Sequence, residues 1–231
     1  MTTEPRALLA LLQFTDGLFP AGGFAHSFGL ETYAQTGTVR DRAGLEDFLR
    51  AHLEGSSGPA DAVAAACAAR LAARDDLAEC RELDERLDAM KYVPEFRAAS
   101  LQMGRHTMRA AAAFGGDPFI AGLAAAVDEG ATQGHHAMVF GAVTGRHGAD
   151  PLTAAVAFLH SSTALLVNAA LRLLPIGQIE GQQTLAALRP LMAGLAEQAA
   201  RAGPDEMWSF APGLELAGLR HADLDARLFR S

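Results

Sequence analysis

The feature that most constrains this chain is its punctuation. Blocks rich in Ala and Leu, with apolar residues recurring at helical spacing, are cut by Pro and Gly, and no stretch keeps a sustained period-two alternation. Alternation is the mark of a half-buried strand, whereas i, i+3, i+4 recurrence is the mark of an amphipathic helix. Ala and Leu are strong helix formers, and small Ala faces let helices approach closely. The expectation is an all-α, single-domain helical bundle over 1–231, with roughly 9–11 helices and an Ala/Leu-rich core.

The blocks can be placed. Pro5 to Phe14 opens a first helix, and Asp16 to Gly23 breaks it. Phe24 to Gln35 reads as a short helix, followed by one carrying Leu45, Phe48, Leu49 and His52. Gly-Ser-Ser-Gly-Pro at 55–59 reads as a turn between helices. Leu77, Cys80, Leu83, Leu87 and Met90 recur among charges, as on a surface helix. Pro94 precedes a helix from Glu95 to Phe114, and Asp117–Pro118 reads as a capped start. Glycines interrupt 130–148. Pro151 begins a long apolar helix that ends at Leu173 to Gly177. Gln182 to Ala202 and a final amphipathic stretch, Leu214 to Leu228, follow, with Gly203–Pro204 between them.

With 231 residues, 50% of them hydrophobic, the chain can bury a large core without disulfides. Cys67 and Cys80 are expected as buried thiols. The net charge is −8 and no basic cluster appears, which argues against nucleic acid. Met1 to Arg6 shows no signal-peptide pattern, so a cytoplasmic location is expected. Ala154 to Leu174 is apolar enough to raise the question of a membrane. It carries His160, Ser161, Ser162, Thr163, Asn168 and Arg172, however, groups easier to satisfy between helices than in lipid. A buried central helix is expected.

Several chemistries are excluded by inspection. A P-loop needs a lysine after glycine to reach the phosphates, and the only lysine, Lys91, lies in Met90-Lys91-Tyr92. No HExxH or CxxC occurs. His26-Ser27-Phe28-Gly29 lacks the glycine of a nucleophile elbow, because Ala25 stands there. Adjacent His135 and His136 would diverge on a helix and are read as one buried and one surface residue. His106, His147, His160 and His221 are scattered. No cofactor and no metal site are expected. The rival reading is an all-helical metal-dependent hydrolase using His26, Glu31, His135 and His136.

Three segments together carry a resemblance. They are Leu18-Phe19-Pro20-Ala21-Gly22-Gly23-Phe24-Ala25-His26-Ser27-Phe28-Gly29-Leu30-Glu31, then Asn168 to Gln178 with Gly181-Gln182, and then Phe210-Ala211-Pro212-Gly213, Arg220-His221 and Arg227-Leu228-Phe229-Arg230-Ser231. Arg97 to Ser100 and Gln102 to Arg105 add a weaker match. In this order they resemble the UreF family of urease accessory proteins. Ala25 departs from the polar residue many members carry. The resemblance implies an all-α homodimer and a complex with UreD (also called UreH) and the GTPase UreG. It also implies docking on apo-urease to insert nickel, without catalysis by this chain. A checkpoint on the GTPase and passage of nickel through an internal channel are further implications.

The matched residues also have a physical reading. Asp16 to Gly23 is a helix–helix corner or a rigid loop shaped for a partner. Arg172 complements the end of its helix or, with Gln178, lines an internal polar passage. The partner-contacting set is Gly22, Gly23, Phe24, Glu31, Arg220, His221, Arg227, Leu228, Phe229 and Arg230. Arginine with an aromatic is the composition of interface hot spots. Segment 204–231 is therefore expected to bind a partner. Its tail is expected to order only on UreD, with its apolar face in a groove; the alternative is a tail docked on its own domain.

Overall fold

In a computed structural model, which describes residues 4–231, the chain is a helical bundle with no strand among the described residues. Helix α1 (Pro5–Thr15) is followed by a 3₁₀ turn at Gly23–Ala25, α2 (Leu30–Gln35), α3 (Arg42–His52) and a π-helical segment, Leu53–Ala62. Then come α4 (Val63–Ala72), α5 (Leu77–Asp88), α6 (Pro94–Ala112), α7 (Pro118–Asp128) and α8 (His136–Arg146). Helices α9 (Pro151–Leu173), α10 (Gln178–Arg201) and α11 (Pro212–His221) complete the bundle.

Helix starts follow local chemistry. Side chains of Asp41, Asp76 and Asp150 accept the N–H of Gly44, Glu79 and Thr153. Asp117 accepts two, from Phe119 and Ile120. Each cap satisfies a donor that the first helical turn leaves free, and its negative charge suits the helix N-terminus.

The core is built around α4 and α9. Helix α4 packs most extensively on α8 and also touches α5, α9 and α10. Its alanines from Ala64 to Ala69 are all buried. Helix α9 has the length and apolarity to cross a membrane, yet it packs among α4, α8 and α10. Ala154, Ala155, Phe158, Leu159, Leu166 and Ala170 face the protein interior. Cys67 and Cys80 are free and buried. Burial, with nearby carboxylates adding to it, pushes the Cys80 thiol up to about 12.

Several boundaries differ from the sequence expectation. Gly-Ser-Ser-Gly-Pro is no turn: α3, the π-helical segment and α4 run on without a break. Pro59 has no N–H to return to the Gly55 carbonyl four residues earlier. That carbonyl instead accepts the Phe210 N–H at 2.8 Å, and the Pro59 carbonyl accepts the Trp208 N–H at 3.3 Å. A neighbouring segment thus satisfies the widened backbone. The glycines between 130 and 148 likewise do not abolish helix. Gly141 and Gly145 lie in α8 where it crosses α4, and a Cβ at either would collide with the backbone of Ala65 or Ala69.

At the chain's first corner, α2 starts only at Leu30, because Gly22, Phe28 and Gly29 have positive φ. Helix α10 begins four residues earlier than expected, with Glu180 accepting the Gly177 N–H at 2.9 Å. Helix α11 ends at His221, and the remaining residues form an irregular tail.

Candidate functional site

The segments that carry the resemblance, far apart in sequence, meet in space. The loop before α2 and the tail after α11 form one composite surface. Its centre is Glu31, buried near the start of α2. Glu31 Oε1 accepts the Leu228 N–H at 2.6 Å, and Oε2 accepts the Phe229 N–H at 3.0 Å. Oε2 also faces His221 Nε2 at 3.0 Å. Burial alone would raise the Glu31 pKa; the Leu228 N–H, His221 and the Phe229 N–H outweigh it and hold the carboxyl below its ordinary value.

The tail is tied at further points. The Ser231 carbonyl accepts the N–H groups of Ser27 and Phe28 at 2.6 and 3.1 Å, and the Ser27 hydroxyl at 2.7 Å. The Arg230 N–H donates to the Ala25 carbonyl at 2.8 Å. Phe229 is buried, and the Arg172 guanidinium lies 4.3 Å from its ring centroid. Arg172 also donates to the Phe24 carbonyl at 3.1 Å. One side chain at the end of α9 thus touches both the glycine loop and the tail.

Of the two readings of the tail, this geometry matches the one docked on its own domain. The segment is docked on its own domain because a buried carboxylate and the loop backbone supply partners for its amides and carbonyls. The apolar side chains divide. Phe229 points inward, while Leu228, Phe24, Leu18 and Leu219 are exposed. Arg220 and Arg230 are exposed, and Arg227 pairs with Glu95 at 3.0 Å.

The rival hydrolase set does not assemble. His26 and Glu31 both serve the tail, with His26 Nδ1 3.0 Å from the Ser231 hydroxyl. His135 is fully buried between Asp88 (2.8 Å) and the Ser100 hydroxyl (3.0 Å). Its neighbour His136 is half-buried and faces a cavity, so neither is a surface residue. Among the described residues, no group of three or more His, Cys, Asp or Glu is placed to hold a metal ion. Ser27 hydrogen-bonds the tail rather than a base.

Two cavities lie back to back and share Met103, His136, Ser162 and Leu165 as a common wall. The first is lined by His52, Asp61, Lys91 and several serines among Phe and Leu side chains. Burial lowers both His52 and His136 to about 4, with Asp61 opposing and Lys91 assisting, so both imidazoles are neutral near pH 7. A neutral imidazole presents a lone pair to a passing donor or cation. The second cavity opens near His160, Asn168, Arg172 and Gln182. Arg172 lies at its wall. Gln178 does not: it is exposed at the start of α10, and Gln182, one turn on, lines the cavity instead.

Comparison with known proteins follows the same lines. The UreF family profile matches residues 39–189. A urease accessory protein UreF of Bacillus sp. (strain TB-90) is 30% identical over 97% of this chain and 99% of its own length. Those of Methylorubrum populi and Arthrobacter sp. (strain FB24) are 35% and 33% identical, each over 96% of this chain, covering 98% and 96% of their own lengths. The chain belongs to the UreF family.

In this UreF-family chain, several residues that build the site gave no sequence signal. Glu95, which holds Arg227 and His221, reads as an ordinary first-turn acid. Asp84 reads as one more charge on a surface helix, yet it is fully buried. It accepts the Thr132 hydroxyl and the N–H groups of Gln133, Gly134 and His135 at 2.6–2.9 Å. That carboxylate fixes the loop that delivers His136 to the cavity wall. The one available hint was its place on the apolar side of α5, between Cys80 and Leu87.

Proposed function

We propose that this protein is a urease maturation factor, a non-catalytic scaffold that works with UreD (UreH) and the GTPase UreG to assemble the nickel centre of apo-urease. The reading is carried by one observation, the chain-long relation to proteins named urease accessory protein UreF. In it the protein works in the cytoplasm as a homodimer, and segment 204–231 is the partner-binding element.

The site geometry supports the scaffold reading. The glycine loop and tail present exposed Phe24, Leu228 and Leu219 beside Arg220 and Arg230 on a backbone held from beneath. A preorganised surface of apolar and arginine side chains loses little ordering entropy on binding. UreD is assigned to this face, with Gly22, Phe24, Arg220, Arg227, Leu228 and Arg230 in contact and the buried Gly23, Glu31, His221 and Phe229 as its foundation. The adjoining cavities, with Arg172 at one wall and neutral His136 between them, suit passage of nickel as cargo.

The test is co-purification of this protein with its cognate UreD, followed by UreG, GTP, nickel and apo-urease. Formation of the ternary complex with a rise in urease activity is expected. No complex with UreD, together with metal bound stoichiometrically to the isolated chain, would overturn the reading.

A further inference from the structure

His221 is fully buried at the last position of α11, and both of its ring nitrogens face carboxylates. Nδ1 is 2.7 Å from Glu95 Oε2 and Nε2 is 3.0 Å from Glu31 Oε2. An ionised carboxylate only accepts hydrogen bonds, and a neutral imidazole has a single N–H to give. Only the imidazolium satisfies both contacts at once. The two carboxylates also anchor the middle of the tail. Glu31 takes the Leu228 and Phe229 amides, and Glu95 takes the Arg227 guanidinium at 3.0 Å.

We propose that His221 is a proton-controlled latch: as imidazolium it seats residues 222–231 on the domain, and as neutral imidazole it releases them. The inference goes beyond the scaffold function and does not depend on which partner binds the tail.

The charges facing His221 define the switch. Helix α2 contributes Glu31, α6 contributes Glu95, and the tail contributes Arg227 through Glu95. On α11 itself, Arg220 is exposed. With the imidazolium present, two negative charges meet two positive ones. Loss of the proton leaves a ring lone pair facing a carboxylate oxygen at 3.0 Å or less, acceptor against acceptor, and a net negative charge in a buried place. Such a group is costly inside a protein. Relief comes by moving Glu31, which frees the Leu228 and Phe229 amides, or by moving Glu95, which frees Arg227. Either movement removes one of the carboxylate anchors of residues 227–229, leaving the contacts of Ser27, His26 and Gln35 to hold the rest of the tail less firmly. His26, at the far end of the tail, does not share the role: burial, Arg230 and His106 lower it to about 4, so it stays neutral throughout.

Hydrogen exchange on the full chain tests this, read at the Leu228 and Phe229 amides and corrected for the intrinsic pH dependence of exchange. Across about pH 5 to about pH 8, the span in which an ordinary histidine side chain changes charge, protection should fall at least about tenfold in a single-proton transition. Amides of α9 should hold their protection, which separates tail release from unfolding. In Glu95→Gln, the side-chain amide can accept from the ring or donate to it, so protection should persist across the range. In His221→Gln, protection should be low and independent of pH. Ring nitrogen-15 shifts of His221 should titrate with the same midpoint as the wild-type exchange. A flat wild-type profile would overturn the latch, as would a fall that E95Q reproduces or a ring midpoint that does not coincide.

Discussion

Glu31 and Phe229 stand 198 residues apart, and a carboxylate oxygen of the first accepts the backbone N–H of the second at 3.0 Å. With the Leu228 amide on its other oxygen, Glu31 does for the tail what a capping carboxylate does for a helix start. Charge-assisted hydrogen bonds of this kind contribute about 1.5–3 kcal/mol each when buried. Glu31→Gln keeps the shape and removes the charge, and should lower stability by about 2 kcal/mol in urea unfolding.

The same carboxylate gives a pH dependence on the acid side. Its folded-state pKa lies below the ordinary value of 4.5. Its contribution is therefore complete above that value and is lost as pH falls through the lower folded-state value. Stability measured below about pH 5 should decline with a steeper slope in the wild type than in E31Q. Equal slopes would show that other carboxylates carry the acid limb.

How much of this could be read from the sequence depends on how far apart the causes lie. The cap at Asp117 acts on amides two and three residues away, and it was legible. The same holds for the buried α9, whose polar residues are too many for lipid. Gly55 and Pro59 signal a break locally, but the helix persists because Phe210, far along the chain, bonds the freed carbonyl. Glu31, Arg172 and Phe229 stand out because they lie in the segments that carry the family resemblance. Their mutual contact was not legible, since nothing local tells that residue 31 will seat residue 229. Asp84 and Glu95 were missed because a carboxylate on an amphipathic helix looks the same whether it faces water or a loop amide.

The α4–α8 crossing makes a matched pair of predictions. A Cβ at Gly141 would overlap the Ala65 carbonyl, whereas one at Gly194 in α10 would meet nothing within 4 Å. Overpacking a rigid core costs about 1–3 kcal/mol and more where backbone must move. Gly141→Ala should therefore cost about 3 kcal/mol. Gly194→Ala should instead add about 0.5–1 kcal/mol, through helix propensity alone. Thermal unfolding of the two variants side by side checks both signs.

Lys91 and Asp61 pair at 2.5 Å in the wall of the first cavity, each only 14% exposed at its side chain. Removing one partner leaves the other charge desolvated and alone. Lys91→Ala should cost about 3 kcal/mol, while the double variant with Asp61→Asn should recover much of that loss. A double-mutant cycle by urea unfolding measures the coupling. Additive losses would place the two groups in water rather than in the cavity wall.

Arg172 offers the most direct route from this architecture to partner binding. Its guanidinium covers the Phe229 ring at 4.3 Å and its Nη1 holds the Phe24 carbonyl, so removing it loosens loop and tail together. A cation–π contact at a partly exposed site contributes about 1 kcal/mol. Arg172→Ala should accordingly raise exchange at the Phe229 amide about fivefold and weaken UreD capture by a similar factor. Arg172→Lys keeps the charge but not the planar fork that stacks and donates at once, so it should fall between wild type and alanine. Competition pull-downs at two salt concentrations distinguish the causes. A purely electrostatic role for Arg172 would make lysine equal to arginine and would fade with salt. A positioning role leaves lysine defective at both.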